Sequence, residues 1–247
     1  MKIEKNILNI LDKCTISIKE KLNVVYLPKE QLDRITYLSV NKCLEAIGGK
    51  WNRKEKGHIF EDNPVELFEN LLLTGEVEDI KKEFQFFETP KELVKQMIEM
   101  AELKEKDSIL EPSAGKGAIV DEIKIGDLFV NELNEKNYKV LLEEYKQATN
   151  YDFMESSLGL FDKIIMNPPF SRQQEIDHIL RAFDHLKKGG MLVSIVSESP
   201  FFRVNKKSVE FRKFLEDNNA EIIKNPDGSF KESGTMINTR IIKIIKE

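Results

Sequence analysis

Only two cysteines, three histidines and one tryptophan occur among the 247 residues. Cys14 and Cys43 are far apart and form no C-x-x-C pair, so neither a disulfide framework nor a thiolate zinc site is expected. Reduced, cytoplasmic residence is the simple expectation. His178 and His185 fall two turns apart on an expected helix, roughly 10 Å by helical rise, too far to share one ion. No metal is expected. No apolar run is long enough to cross a bilayer, and the opening MKIEKNILNILDK is too charged for a signal peptide. A membrane role is therefore not expected. A positive balance is missing too. The net charge is −5, so any nucleic-acid binding must rest on a local basic patch. Internal repeats and low-complexity segments are also absent. What remains is 40% hydrophobic and 33% charged, the composition of a globular chain with one large domain or a medium and a small one.

From about Thr89 onward, strand and helix patterns alternate. TPKELVKQMIEMAEL reads as an amphipathic helix with Thr89 as N-cap and Pro90 first inside it. SILEP is a strand, SAGKG a tight loop, and a helix follows through Ile119 and Ile123. DLFVNEL is a second strand, then a helix capped by Asn134. NYDF ends a short third strand and FDKIIMN is the fourth. RQQEIDHILRAFDHLKKGG is a helix stopped by Gly189-Gly190. MLVSIVSES, another helix, and AEIIKN and TRIIKIIK complete the sheet. Alternation implies parallel strands with helical crossovers. The last two strands are joined by PDGSFKESGTM with no helix, so the last strand is expected to run antiparallel. Residues 1–85 differ. NVVYLP suggests a strand, and KEQLDRITYLSVNKCLEAI a helix with Leu32, Ile35, Leu38 and Val40 among its apolar positions. GGKWNRKEKGHIF suggests a hairpin turning near Arg53–Lys56, and NPVELFENLLLTG a helix ending at Gly75. This is a small α+β module, tied by the charged connector EVEDIKKEF to a catalytic domain over 86–247.

Ligands of open parallel sheets sit beyond the carboxyl ends of the strands. Those ends carry Glu111, Glu132, Asp152 and Asn167. Gly115 and Gly117 in EPSAGKG allow a sharp turn and close approach to a ligand. The loop is no P-loop, since no Ser or Thr follows Gly-Lys and the upstream glycine is missing. It is a poor dinucleotide fingerprint, because the third glycine is absent and Glu111 would repel a pyrophosphate. A cationic ligand suits it. S-adenosylmethionine carries a sulfonium and an ammonium and no phosphate. Glu132 is placed to accept from two ribose hydroxyls. Asp152 is placed to accept from an adenine amino group, with Phe153 available to pack on the ring.

Asn167-Pro168-Pro169-Phe170 ends the fourth strand. The Asn167 side-chain oxygen and the Pro168 carbonyl, stiffened by Pro169, are two acceptors suited to one exocyclic NH2 group. Accepting both hydrogens draws such a nitrogen toward a tetrahedral shape and frees its lone pair for attack on a sulfonium methyl. Phe170 supplies a stacking face, worth about 1–3 kcal/mol.

Asn-Pro-Pro-Phe in this position resembles the catalytic motif of amino-group methyltransferases. FFETPKELVKQM and LEPSAGKGAIV resemble the leading segment and cofactor loop of N6-adenine DNA methyltransferases of the gamma class, which includes modification subunits of restriction systems. The resemblance covers about Phe86 to Lys246. It implies an α/β, Rossmann-like class I methyltransferase sheet, mostly parallel with the last strand antiparallel, and S-adenosylmethionine as cofactor. By that resemblance Phe87, Thr89, Pro90, Glu111, Pro112, Ala114, Gly115, Gly117, Glu132, Asp152, Phe153 and Asn167 line the cofactor. Asn167, Pro168, Pro169 and Phe170 handle the target base, flipped out or single-stranded. The sequence departs from the family pattern in one respect: no sizeable target-recognition domain is expected after the catalytic core. Sequence reading would then fall to loops, to the N-terminal module or to a protein partner.

A DNA acceptor requires a grip on phosphates. Lys50, Trp51, Arg53, Lys54 and Lys56 cluster at the expected hairpin, where either the cations bind phosphate and Trp51 stacks on a base, or Trp51 anchors the module's own core. Arg203, Lys206, Lys207 and Arg212 form a second basic patch, and KESGTM is a candidate border of the base pocket. Related Asn-Pro-Pro-aromatic motifs serve RNA amino-methyltransferases and protein glutamine methyltransferases. Another alternative is an inactive nucleic-acid-binding protein of the same fold.

Overall fold

A computed structural model describes residues 3–19, 22–60, 63–75, 87–233, 235 and 237–247. The charged connector, Phe86 and two residues of the KESGTM segment, Gly234 and Met236, lie outside the described residues. The chain divides into two compact units, Met1–Gln85 with Ser199–Val209, and Phe86–Glu198 with Glu210–Glu247.

The first unit contains α1 (Lys5–Asp12), β1 (Thr15–Lys19), β2 (Leu22–Tyr26), α2 (Arg34–Ala46), β3 (Lys50–Asn52), β4 (Gly57–Phe60) and α3 (Val65–Thr74). Its strands form an antiparallel sheet in the order β1-β2-β4-β3. Leu11, Val25, Val40, Leu44 and Leu71 are at the centre of its core. Asp33 caps α2 by accepting from the Ile35 and Thr36 amides, and Gly75 closes α3 in the left-handed conformation expected of a C-cap glycine. The apolar reading of α2 is corrected in part. Val40, Cys43 and Leu44 are buried, but Ile35 is 78% and Leu38 53% exposed. The buried stripe lies on the helix face that meets α1, and short-range spacing did not distinguish it. The thiol of Cys14 is pushed up to about 12 by burial and by Asp12, so it is no ready nucleophile.

The second unit carries α4 (Lys91–Ala101), β5 (Ser108–Glu111), β6 (Asp127–Val130), α5 (Glu135–Glu144), β7 (Phe161–Met166), α6 (Gln174–Asp184) and β8 (Leu186–Ser197). α7 (Ser199–Phe202) and α8 (Lys206–Asp217) follow, then β9 (Glu221–Lys224) and β10 (Thr239–Ile245). α7 and the start of α8 belong to the segment that clusters with the first unit. The sheet order is β6-β5-β7-β8-β10-β9. β5 through β8 pair in parallel, and β10 runs antiparallel to both β8 and β9. The reversed last strand is therefore present. β7 and β8 are buried along most of their length, as expected of central parallel strands covered on both faces.

Three expected elements form differently. NYDF makes no strand; the residue before it, Thr149, forms an isolated bridge to Asn131, which leaves β6 at the sheet edge. The helix through Ile119 is a 3-10 turn, Val120–Glu122, although Ile119, Val120 and Ile123 are buried. Gly189-Gly190 does not stop α6, which ends at Asp184; the pair lies inside β8. Gly189 has φ +76°, and a Cβ on Gly190 would meet the Lys187 carbonyl oxygen at 2.8 Å. These glycines serve a bulged strand rather than a helix terminus.

Candidate active site

The strand tips of the second unit bring four segments together. Glu111 is the last residue of β5 and is fully buried. One of its carboxyl oxygens accepts from the Ser113 amide at 2.9 Å, and the other has no partner among the described residues. Burial pushes its pKa well above the ordinary glutamate range. The Ser113 N–H opposes this, and the charge of Glu132 adds to it. A buried acid with an idle oxygen is suited to a cation, which would restore the ionised form.

Glu132 follows β6 by two residues. Its oxygens accept from the Gly115 amide and the Asn134 amide, both at 2.7 Å. The carboxylate thus holds the glycine loop, and each oxygen keeps a second lone pair. Gly115 turns at φ +57° and Gly117 at φ +101°; a Cβ on Gly117 would press on Asp121 and Leu141 at 3.2 and 3.3 Å. Pro112 and Ala114 are buried beneath the loop. Asp152 is exposed and accepts from the Met154 amide. Phe153 is only 3% exposed, its ring packed between His178 at 5.9 Å and His185 at 5.7 Å. Its ring is therefore not open to an adenine here. Leu133 and Tyr151, beside the two acids, are instead 61% and 55% exposed.

Asn131 went unnoticed in the sequence. It is 1% exposed, and its side chain makes four hydrogen bonds. The amide nitrogen donates to the Pro112 and Tyr151 carbonyls, both at 3.0 Å. The amide oxygen accepts from the Thr149 hydroxyl at 2.8 Å and the Tyr151 amide at 3.0 Å. Its backbone bonds the Glu111 carbonyl and the Ala114 amide. One residue thus ties the segments bearing Glu111, Glu132 and Asp152. A lone Asn before a Glu carries no sequence signal for this role.

Asn167 directly follows β7. Its amide nitrogen donates to the Phe87 carbonyl at 3.2 Å and to the Thr89 hydroxyl at 3.0 Å. A carbonyl can only accept, so the nitrogen must face Phe87 and the oxygen must point away. That oxygen is shielded and has no partner among the described residues. Thr89 therefore serves Asn167 instead of capping α4, whose N-cap is Pro90 without a side-chain bond. Pro168 and Phe170 are buried, Phe170 at 6% exposure, and Pro169 is exposed. Arg172 and Gln173 follow with φ of +54° and +58°. Two successive left-handed non-glycine residues cost about 1–2 kcal/mol each, strain of the kind that gathers at functional sites. Beside Thr89 opens a cleft of about 820 Å³, bordered by Glu88, Glu92, Pro226 and Glu232. The Ser233 hydroxyl of the β9–β10 link donates to the Glu88 carbonyl at 2.7 Å, so the described part of KESGTM reaches this border.

The two basic patches diverge. Lys50, Trp51, Arg53, Lys54 and Lys56 are exposed on the β3–β4 hairpin. Arg203 corrects the second patch. It is 7% exposed and ion-paired with Asp12 and with Glu69, the latter at 2.7 Å, so it is not available to a phosphate. Lys206 is exposed and Lys207 half-buried. Among the described residues no cluster of His, Cys, Asp and Glu could hold a metal, and no helix is long and apolar enough to cross a membrane.

No family model and no curated protein sequence matches the chain. Solved structures do. A type I restriction-modification methyltransferase subunit from Streptococcus thermophilus aligns with a TM-score of 0.58 at 20% identity, over 73% of this chain and 48% of that one. The M protein of the type I restriction enzyme EcoKI aligns at 0.55 and 14% identity, over 88% and 51%. A Listeria monocytogenes protein, provisionally named a class I S-adenosylmethionine-dependent methyltransferase, aligns at 0.53 and 17% identity, over 88% and 76%. The chain spans about half the length of the first two. Strand order, reversed final hairpin and these likenesses agree that the chain carries the class I methyltransferase fold.

Proposed function

We propose that the protein is an S-adenosylmethionine-dependent methyltransferase acting on the N6 amino group of adenine in DNA. The observation that carries this reading is the oriented Asn167 amide, its oxygen unpartnered at the tip of β7. When bound, S-adenosylmethionine would supply a sulfonium methyl group, which an amino nitrogen attacking in line would take with release of the neutral thioether. Glu111 offers its idle oxygen to the cationic end of that ligand. Glu132 and Asp152 offer lone pairs to hydroxyl and amino groups of its nucleoside. Phe87, Thr89 and Pro90 border it through the segment that also orients Asn167, and Gly115 and Gly117 let the loop backbone approach it.

Asn167 Oδ1 and the Pro168 carbonyl accept the two hydrogens of the target amine. Neither acceptor needs to reorganise as the nitrogen becomes tetrahedral, so the gain is electrostatic and positional. One amine proton then leaves to solvent, and no covalent enzyme intermediate forms. Because Phe170 is buried and Oδ1 is shielded, the base enters only with a local opening around Phe170. A duplex base must also be flipped out.

Two of the three named neighbours belong to type I restriction systems, which supports a DNA acceptor and a protein partner that reads the target sequence. The test is incubation of the protein with labelled S-adenosylmethionine and, separately, unmethylated DNA, RNA and protein, followed by nucleoside mass spectrometry. N6-methyladenine in DNA is expected. Label confined to RNA or to protein glutamine overturns the acceptor, and binding without transfer to any acceptor overturns the activity.

A further inference from the structure

The β3–β4 hairpin of the first unit puts its only tryptophan where a core residue would not be. Trp51 lies on β3, an edge strand of its sheet, and is 43% exposed. Its ring edge meets His58 with centroids 5.2 Å apart. His58 is itself fully buried and held by the Asn41 side-chain oxygen at 2.7 Å. The Asn41 nitrogen donates to Glu45, so its oxygen must accept and the imidazole Nε2 must carry the proton. Burial lowers the His58 pKa against the opposing pull of Glu45, which keeps the ring neutral. The indole thus rests on a rigid, uncharged support with much of its surface open.

The turn is equally preorganised. The Asn52 side-chain oxygen accepts from the Lys54 and Glu55 amides at 2.9 and 3.0 Å, and Lys56 completes the reversal at φ +53°. Arg53, Lys54 and Lys56 crowd this turn beside one carboxylate, Glu55, in a chain of net charge −5. Among the described residues no carboxylate pairs with Arg53, Lys54 or Lys56.

We infer that this hairpin is a contact surface for single-stranded nucleic acid, an unpaired base stacking on Trp51 and neighbouring phosphates meeting the turn cations. An aromatic face grips only unpaired bases, and the local positive charge matches a phosphate backbone rather than an apolar or cationic partner. The inference rests on the proposed nucleic-acid acceptor and deepens it.

The chain's single tryptophan makes the test direct. The full-length protein is titrated with oligothymidylate of about 30 nucleotides. Thymine has no exocyclic amino group, so it binds without being a methyl acceptor. Quenching of Trp51 fluorescence is expected, with much less from a duplex of the same length. By anisotropy, Trp51→Ala weakens binding about tenfold and Trp51→Phe restores most of it. The Arg53→Glu, Lys54→Glu, Lys56→Glu triple variant keeps the fluorophore and lowers the slope of log affinity against log salt by about two. Oligouridylate quenching equally well supports the same surface for either sugar; quenching by it alone assigns RNA. Absence of quenching by both, or unchanged affinity in the triple variant at an unchanged circular dichroism spectrum, overturns the inference. Quenching without methylation of any nucleic acid removes the proposed activity and leaves this surface; methylation without quenching does the reverse.

Discussion

Asn131 and Asn167 each stand one residue beyond a parallel strand, at the tips of β6 and β7 on either side of β5. One amide has every hydrogen-bonding position filled by the protein. The other spends its nitrogen on Phe87 and Thr89 and keeps its oxygen empty. An unpaired buried acceptor costs about 1–3 kcal/mol, so a fold does not leave one idle without return. Saturation suits a scaffold residue, and the empty oxygen is the acceptor that the proposed target amine would fill.

The comparison breaks most sharply at Asn167. Asn167→Ala is expected to lower methyl transfer at least ~100-fold while shifting the melting temperature by only a few degrees; unchanged turnover would return this amide to a structural role. Asn131→Leu should do the opposite kind of damage. It strands the Pro112 carbonyl and both backbone groups of Tyr151, a loss of about 3 kcal/mol or more. The melting temperature should fall by roughly 10 °C, and affinity for S-adenosylmethionine should weaken, as calorimetry reads. Wild-type stability in this variant would mean that the strand tips hold without their common tie.

Glu111 sharpens the contrast from the third tip. A carboxyl whose folded pKa is raised binds its proton more tightly folded than unfolded. Its contribution to stability is present below the ordinary glutamate range and is lost as pH rises through the folded value. In ligand-free protein, Glu111→Gln should therefore melt higher than wild type at about pH 8, with the gap closing toward about pH 5. S-adenosylmethionine should stabilise wild type more than the variant. The smallest effect is at Arg172, where Arg172→Gly relieves a left-handed residue and should raise stability by about 1 kcal/mol or less. A decrease would show that the Arg172 side chain holds the turn after Phe170.

Much of this was legible from residues in order. The alternation after Thr89, the helix-free link before the last strand and the acids at strand tips are local patterns, and each has a physical reason at that spot. The Asn134 and Gly75 caps form as expected because capping needs only neighbouring residues. Failures came where the partner is remote in sequence. Arg203 reads as one more cation among lysines, yet Asp12 and Glu69, over a hundred residues away, enclose it. Trp51 could have been core or surface until the sheet order made β3 an edge. Phe153 looked open until α6 put His178 and His185 against it. Gly189-Gly190 mimics a helix stop, but Phe161 and Lys246 draw it into a strand.

By itself the sequence determined the fold class, the order of chemical groups along the sheet edge and the residue types suited to a cationic donor and an amino acceptor. These follow from period, turn chemistry and side-chain donors, all short-range properties. Only the tertiary structure decided which way the Asn167 amide points, that Asn131 binds three segments together, and that Arg203 of the second basic patch is buried while the hairpin cations face solvent. Orientation, saturation and exposure are properties of pairs distant in the chain, and folding alone brings those pairs within reach.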